Sequence, residues 1–434
     1  MRKTICSVLL AVLFLSSATF ANAQTTTVTV IKAGRLIDTE SGRVLTNQMI
    51  LIENDRIKSV GENLTIPADA KVIDLSNGVV MPGFIDTHTH ITNDADENYY
   101  DMFRKSFVDA AITAHINAQK TLDAGFTNVR DVGAGGFVDV ALRNAINAGK
   151  IPGPRMQVAT FYIGSTGSRG DLNGFSPWLG SRMPEEMSGV ADGVEGVRKK
   201  VRYLIKYGAD VIKFGASAGV LSEEASVGAP QFSQEEMNAI VDEARLHGIR
   251  ACAHAHGTEA IKMAIKAGVV SVEHGSFLDD EGIRMMKERG TYLSEDIYND
   301  DYIMTEFARL GYPQKILDKE KLVGRTQREN FKKAVLAGVK IAYGTDAGVY
   351  PHGWNARQFA KMVEWGQTPM QALQSATINS ADLLGWKDQI GSIAAGKYAD
   401  IVAVTENPLD KIRVLENMQF VMKGGVVYKN LLTK

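Results

Sequence analysis

Apolar and polar positions alternate with a period of two near both ends of the chain. Thr27–Ile31, Gln48–Ile52 and Lys71–Leu75 read as strands, with Glu53-Asn54-Asp55 and Ser76-Asn77-Gly78 as turns. The C-terminal part repeats this character in Asp400–Val404, Phe420–Met422 and Gly424–Tyr428. The two ends are expected to build one small β-sandwich around a larger insert. Within the insert the pattern changes to short, apolar-rich strands separated by amphipathic helices, as a parallel α/β fold requires. Strands are expected at 84–90, 127–132, 156–159, 211–214, 250–254, 271–274, 291–294 and 340–344. Helices span Gln234–His247, closed by Gly248, and Thr258–Ala267, closed by Gly268. Phe84 to Asp346 has nearly the ~250-residue length of a (β/α)₈ TIM barrel. An open doubly wound sheet is the competing architecture, but no glycine-rich phosphate loop follows an early strand. The expected division is a leader at 1–23, β-sandwich at 24–80, barrel at 81–390 and β-sandwich again at 391–434.

The leader expectation rests on Met1-Arg2-Lys3, an apolar stretch from Ile5 to Phe20, and small residues at Ala21-Asn22-Ala23. It implies a periplasmic or secreted protein cleaved near Ala23. No other stretch approaches the ~20 apolar residues of a membrane span. Of the two cysteines, Cys6 departs with the leader and Cys252 stays alone, so no internal disulfide is expected. The formal charge of −2 becomes more acidic once Arg2 and Lys3 are removed, unlike the basic footprint of a nucleic-acid binder. The expected partner is a small molecule or short peptide, and the chain could form a homo-oligomer.

Histidines carry the chemistry. His88, His90, His254, His256, His274 and His352 fall at expected strand ends or in the loops that follow, whereas His115 and His247 fall in helices. In a barrel of this kind, catalytic groups sit at the C-terminal strand ends. His88 and His90, two apart on one strand, share a face and suit zinc. Lys213 is an amine inside the apolar run Val211-Ile212-Lys213-Phe214. A strand-end lysine can snorkel to solvent. Among strand-end histidines it can instead react with carbon dioxide to give a carbamate, N6-carboxylysine, whose two oxygens bridge two divalent cations. His254 and His274 offer imidazoles for a second ion. His256 is either a substrate-facing neighbour or the ligand in place of His254. Asp346 could cap a following helix. Alternatively it binds the first ion and shuttles a proton from an attacking water to a leaving amine.

Met81–His90, Gly208–Lys213, Ala253–Gly257, Val272–Gly275, Gly344–Gly348 and Gly391–Asp400 together resemble the amidohydrolase superfamily. The likeness is to its secreted imidazolonepropionase-like group, which includes Xaa-Pro dipeptidases and related carboxypeptidases. The resemblance implies two divalent ions, zinc by preference, held by His88, His90, Lys213, His254, His274 and Asp346. It implies hydrolysis of an amide bond to a C-terminal amino acid. One departure concerns Thr166-Gly167-Ser168-Arg169-Gly170-Asp171, where Arg169 stands at a position usually occupied by histidine in the family. Arg169, in a glycine-rich loop, is suited to bind a carboxylate. His256, Tyr298 and His352 are the other expected substrate contacts. The alternatives are hydrolysis of a cyclic amide or lactone, and a periplasmic binding protein without turnover.

Overall fold

Strand β1 (Val28–Asp38) buries Val30, Ile31, Ala33, Leu36 and Ile37, and it pairs antiparallel with β2 (Arg43–Glu53) and parallel with β4 (Lys71–Pro82). These elements belong to a computed structural model that describes residues 27–432 except 172, 174–187 and 225. The expected leader lies outside those residues. Strand β3 (Arg56–Gly61) follows a tight turn at Asn54 and was not visible in the sequence, because Ile57 is its only fully buried residue. Ser76-Asn77-Gly78 is not a turn. Strand β4 runs through it, and the register with β1 shifts between Ala33 and Arg35. A Cβ on Gly34 would stand 1.9 Å from the Ser76 carbonyl oxygen, so the bulge depends on glycine.

The middle of the chain supplies β5 (Phe84–Thr89), β6 (Phe126–Asp131), β7 (Arg155–Val158), β8 (Val211–Gly215), β9 (Arg250–Ala255), β10 (Ser271–His274), β11 (Tyr292–Glu295) and β12 (Ile341–Tyr343). Every strand expected there is present. They form two parallel sheets, β5-β6-β7 and β8-β9-β10-β11-β12. The sheet edges are joined in two places. Ile163 bonds both ways across β8, its N–H to the Lys213 carbonyl and its carbonyl to the Gly215 N–H. Similar bonds join the ends of β5 and β12, from His90 N–H to the Ala347 carbonyl and from Asp346 N–H to the His88 carbonyl.

Helices follow the strands: α1 (Phe107–Asp123), α2 (Val138–Asn147), α3 (Gly193–Lys206), α4 (Gln234–Leu246), α5 (Thr258–Ala267), α6 (Asp280–Arg289), α7 (Asn299–Glu306), α8 (Gln314–Ala337) and α9 (Arg357–Glu364). Both expected helices are found. A Ser233–Glu236 capping box starts α4, and Gly268, at φ 96°, ends α5 in the left-handed region that glycine tolerates. Their apolar faces meet the outer faces of the strands in one large core containing Ile240, Ile261, Val272 and Leu293.

Strands from the two chain ends share one continuous sheet ordered β15-β14-β13-β4-β1-β2-β3. Here β13 is Ile401–Val404, β14 Phe420–Lys423 and β15 Val426–Asn430. One face gathers Ile31, Ile50, Ile73, Ile401 and Phe420 into a core of its own. No helix of the described residues is long and apolar enough to cross a membrane.

Candidate active site

The C-terminal ends of the parallel strands carry a concentration of buried histidine. His88 Nε2 and His90 Nε2 stand 3.3 and 3.2 Å from Asp346 Oδ1. The His88 ring centroid is 5.0 Å from that of His274, and His274 is 4.6 Å from His254 and 4.7 Å from His256. Ligand atoms of His88, His90 and Asp346 lie within 4.8 Å of one another, and so do those of His254, His256 and His274. A third such group, His274, Asp296 and Asp346, lies between them. Either His254 or His256 could therefore join His274 on a cation. His254 Nε2 is buried without a hydrogen-bond partner among the described residues, whereas His256 Nδ1 meets Ser276 Oγ at 2.7 Å.

Burial, reinforced by His274 and Arg169, holds the pKa values of His254 and His256 well below the usual histidine value, so both rings stay neutral. Burial alone would raise Asp346, but His88 and His90 beside it hold it well below the carboxylate range. Beyond the close approach of His88 and His90, its Oδ1 has no hydrogen-bond partner among the described residues. Imidazoles gathered round a buried carboxylate form a donor set suited to a divalent cation. Lys213 is 1% exposed. Burial lowers its pKa below the ordinary lysine range and so favours the unprotonated amine, against the opposing pull of Glu273.

The backbone is bent to make this arrangement. His274 and Asp346 adopt left-handed φ values of 70° and 55°, a conformation that costs a residue with a side chain about 1–3 kcal/mol. Each turn is held from behind. Asp296 Oδ1 accepts from His274 Nδ1 at 2.8 Å, and Gln327 Nε2 donates to the same oxygen at 3.1 Å. Asp86 accepts from Thr345 Oγ1 at 2.6 Å and from Asn355 Nδ2 at 2.8 Å, fixing the loop that carries Asp346. Burial pushes the Asp86 carboxyl up to about 6, opposed by these hydrogen bonds. No helix starts at Asp346, so it is not a cap; the next one, α9, begins at Arg357.

A cavity of about 360 Å³ opens over the cluster, lined by His88, His90, Lys213, His254, His274 and Arg169. Arg169 and His274 also line an adjoining space of about 30 Å³, together with His256, Asp346 and Glu320. Tyr298 and His352 line neither. The Tyr298 hydroxyl accepts from Arg357 at 2.9 Å, and the His352 ring binds the carbonyls of His90 and Asn93 at 3.1 and 3.2 Å. Both side chains thus contact neighbouring loops.

Tyr162, Asp86, Asp296, Arg130 and Glu273 were not picked out from sequence. Tyr162 lines the cavity, and its ring meets His254 edge-on at 6.0 Å. The signal for the four charged residues was available: each is ionisable within or just after an apolar strand.

Comparison with known proteins agrees with this geometry. A model of the amidohydrolase family matches residues 79–430. An ochratoxinase of Aspergillus niger is 33% identical over 426 residues, covering 93% of this chain and 87% of the relative. Among solved structures, a Xaa-Pro dipeptidase with methionine bound in its active site is 40% identical with a TM-score of 0.88, covering 93% of this chain and 100% of that one. A prolidase complexed with N-methylphosphonate-L-proline is 32% identical with a TM-score of 0.86 over the same shares. The chain belongs to the amidohydrolase family and is a hydrolase acting on amide bonds.

Proposed function

We propose that the chain is a binuclear metal-dependent hydrolase that cleaves the amide bond to a C-terminal amino acid, as a dipeptidase or on N-acyl amino acids. The observation that carries this reading is the convergence of four strand-end histidines with Asp346 and a buried lysine, beside a cavity that Arg169 also lines. In the same reading the eight parallel strands close into a (β/α)₈ barrel at residues 81–390, set between sheet segments at 24–80 and 391–434. The hydrogen bonds joining both pairs of sheet edges support closure. The N-terminal leader pattern supports a periplasmic or secreted location. The neighbours' names, Xaa-Pro dipeptidase, prolidase and ochratoxinase, support the substrate class.

His88, His90 and Asp346 would hold one cation, His254 and His274 the other, and Lys213 as N6-carboxylysine would bridge them. Zinc is the ion that the imidazole-rich donor set favours. When bound, such cations acidify water and polarise a carbonyl. The protein's own groups do the rest. Asp346 takes the proton released as water adds to the carbonyl and returns it to the departing amine. Arg169 binds the free carboxylate next to the scissile bond, and His256, beside His274, orients the substrate end. His352 and Tyr298 keep the surrounding loops in place.

A hydrolysis screen over dipeptides, N-acyl amino acids and lactones, with metal content measured in parallel, tests the proposal. About two equivalents of zinc are expected, with loss of activity on chelation and recovery on zinc addition. Lactone cleavage without dipeptide cleavage would transfer the site to cyclic substrates. Full activity in metal-free protein would remove the binuclear reading.

A further inference from the structure

Below the histidines, Arg130 of β6 and Glu273 of β10 form an ion pair that amide cleavage itself does not use. Their side chains are 1% and 0% exposed. Arg130 spends each guanidinium nitrogen inward: Nε donates to the Thr87 carbonyl at 2.6 Å, Nη1 to Ser271 Oγ at 3.1 Å and Nη2 to Glu273 Oε1 at 2.8 Å. Ser271 Oγ donates to the same Oε1. Glu273 Oε2 has neither donor. Its neighbour is His88 Nδ1 at 3.1 Å, and neither of these atoms has another partner among the described residues. The two atoms stand within hydrogen-bonding distance of each other.

Stability does not account for this arrangement. Burying both charges incurs desolvation that their attraction only partly offsets, and an apolar pair of equal volume often serves a core as well or better. An apolar pair could not present an oxygen to His88. An imidazole offers a bare nitrogen on one side only when its proton sits on the other, and that proton needs an acceptor. His90 Nδ1 has the Gly133 carbonyl at 2.9 Å, and His274 Nδ1 has Asp296 at 2.8 Å. For His88, whose Nε2 faces Asp346, the acceptor within reach is Glu273.

We propose that Glu273 is a positioning residue that fixes His88 as the Nδ1–H tautomer, and that Arg130 and Ser271 determine which carboxylate oxygen does so. Its consequence for metal binding rests on the binuclear reading; the tautomer itself does not. Arg130 can only donate. In Glu273→Gln the amide oxygen must therefore take the Oε1 position, which turns the amide NH₂ toward His88 Nδ1. That nitrogen is then forced to accept, and the ring proton moves to Nε2, where it blocks the face turned to Asp346. A nearly isosteric change thus reverses the ring without removing a contact. The double variant Arg130→Met/Glu273→Gln keeps the pair neutral and frees the amide to turn its oxygen back to His88.

The test uses full-length protein labelled with ¹⁵N-histidine. Long-range ¹H–¹⁵N spectra of metal-stripped samples report the tautomer, with His88 assigned by its loss in His88→Ala. Zinc affinity is measured separately by chelator competition. We expect Nδ1–H for His88 in the wild type and Nε2–H in Glu273→Gln, with the first zinc bound roughly 10- to 100-fold more weakly. The double variant should return His88 to Nδ1–H, and it carries the test if the single variant does not fold. Ser271→Ala, which leaves Arg130 in place, should keep the wild-type tautomer. His88 remaining Nδ1–H in Glu273→Gln, or Nε2–H in both variants, overturns the proposal. Were the wild type to bind no zinc, the binuclear reading would fail while the spectra still decided the role of Glu273.

Discussion

Asp346 combines a strained backbone, an ionised carboxylate and an unsatisfied oxygen in one residue. Asp346→Asn keeps an oxygen for binding but cannot accept a proton. It should retain much of the metal and lose roughly 10²- to 10⁴-fold in kcat; near-normal turnover would remove the shuttle. Arg169 makes a different claim, on specificity. Losing one charge-assisted hydrogen bond costs about 1.5–3 kcal/mol, or roughly ten- to a hundredfold. Arg169→Ala should lower kcat/KM by that factor for substrates with a free carboxylate and hardly at all for their C-terminal amides. Equal losses on both would show that Arg169 does not read the carboxylate. Histidine spacing made this part of the site legible, since i, i+2 pairs at strand ends can point only to one face. Tyr298 and His352 are harder to place, because a loop residue's sequence neighbours do not reveal which way its side chain turns. Glu273 and Asp296 were hidden beside more conspicuous residues, His274 and Tyr298.

Helix α8 shows what an element adds that its sequence pattern conceals. Gln327 steadies Asp296, and the Lys319 ammonium donates to the carbonyls of Gly219, Ser222 and Glu224, fixing the loop after β8. Glu320, between them, lines the small space next to His256 and Asp346. Burial pushes its carboxyl up to about 8, with Asp300 and Asp296 adding to the shift and Arg328 opposing it. An acid raised in this way from 4.5 favours the folded state fully below about pH 4.5, and that contribution disappears as pH rises through about 8. Glu320→Gln, neutral at every pH, should match the wild type near pH 5 and exceed it near pH 8 by about 1–3 kcal/mol. Thermal unfolding at the two pH values reads the difference; a constant offset would mean that Glu320 does not titrate in this window. Periodicity alone identified the parallel strands and two of the helices, because each buries a continuous apolar face. It missed β3, where polar positions predominate, and it read a turn into β4, where a bulge imitates one.

At the scale of the whole molecule, the terminal sheet and the parallel strands must hold one another in register. The sequence showed that the two ends belong together, because both carry short alternating strands. It did not show what ties them to the middle. Asp400 lies just before β13 and is 4% exposed. Its Oδ2 accepts from Arg155 Nη1 of β7 at 2.7 Å and from Asn128 Nδ2 of β6 at 3.0 Å, while Oδ1 accepts from the Gly424 N–H between β14 and β15 at 2.8 Å. One carboxylate thus joins two strands of the parallel sheet to the terminal hairpin. Arg155 also lies over the Tyr398 ring, which Arg56 covers as well. Asp400→Ala would leave Arg155 and Asn128 without their shared acceptor in a largely buried place. Breaking such a pair costs about 3–5 kcal/mol when burial is complete, and Arg155, 21% exposed, puts the expectation at the lower end. Urea unfolding should show a midpoint lowered accordingly, with zinc content unchanged under native conditions because no proposed ligand touches Asp400. A midpoint equal to the wild type would mean that apolar packing alone docks the sheet, and that Asp400 merely occupies a junction formed without it.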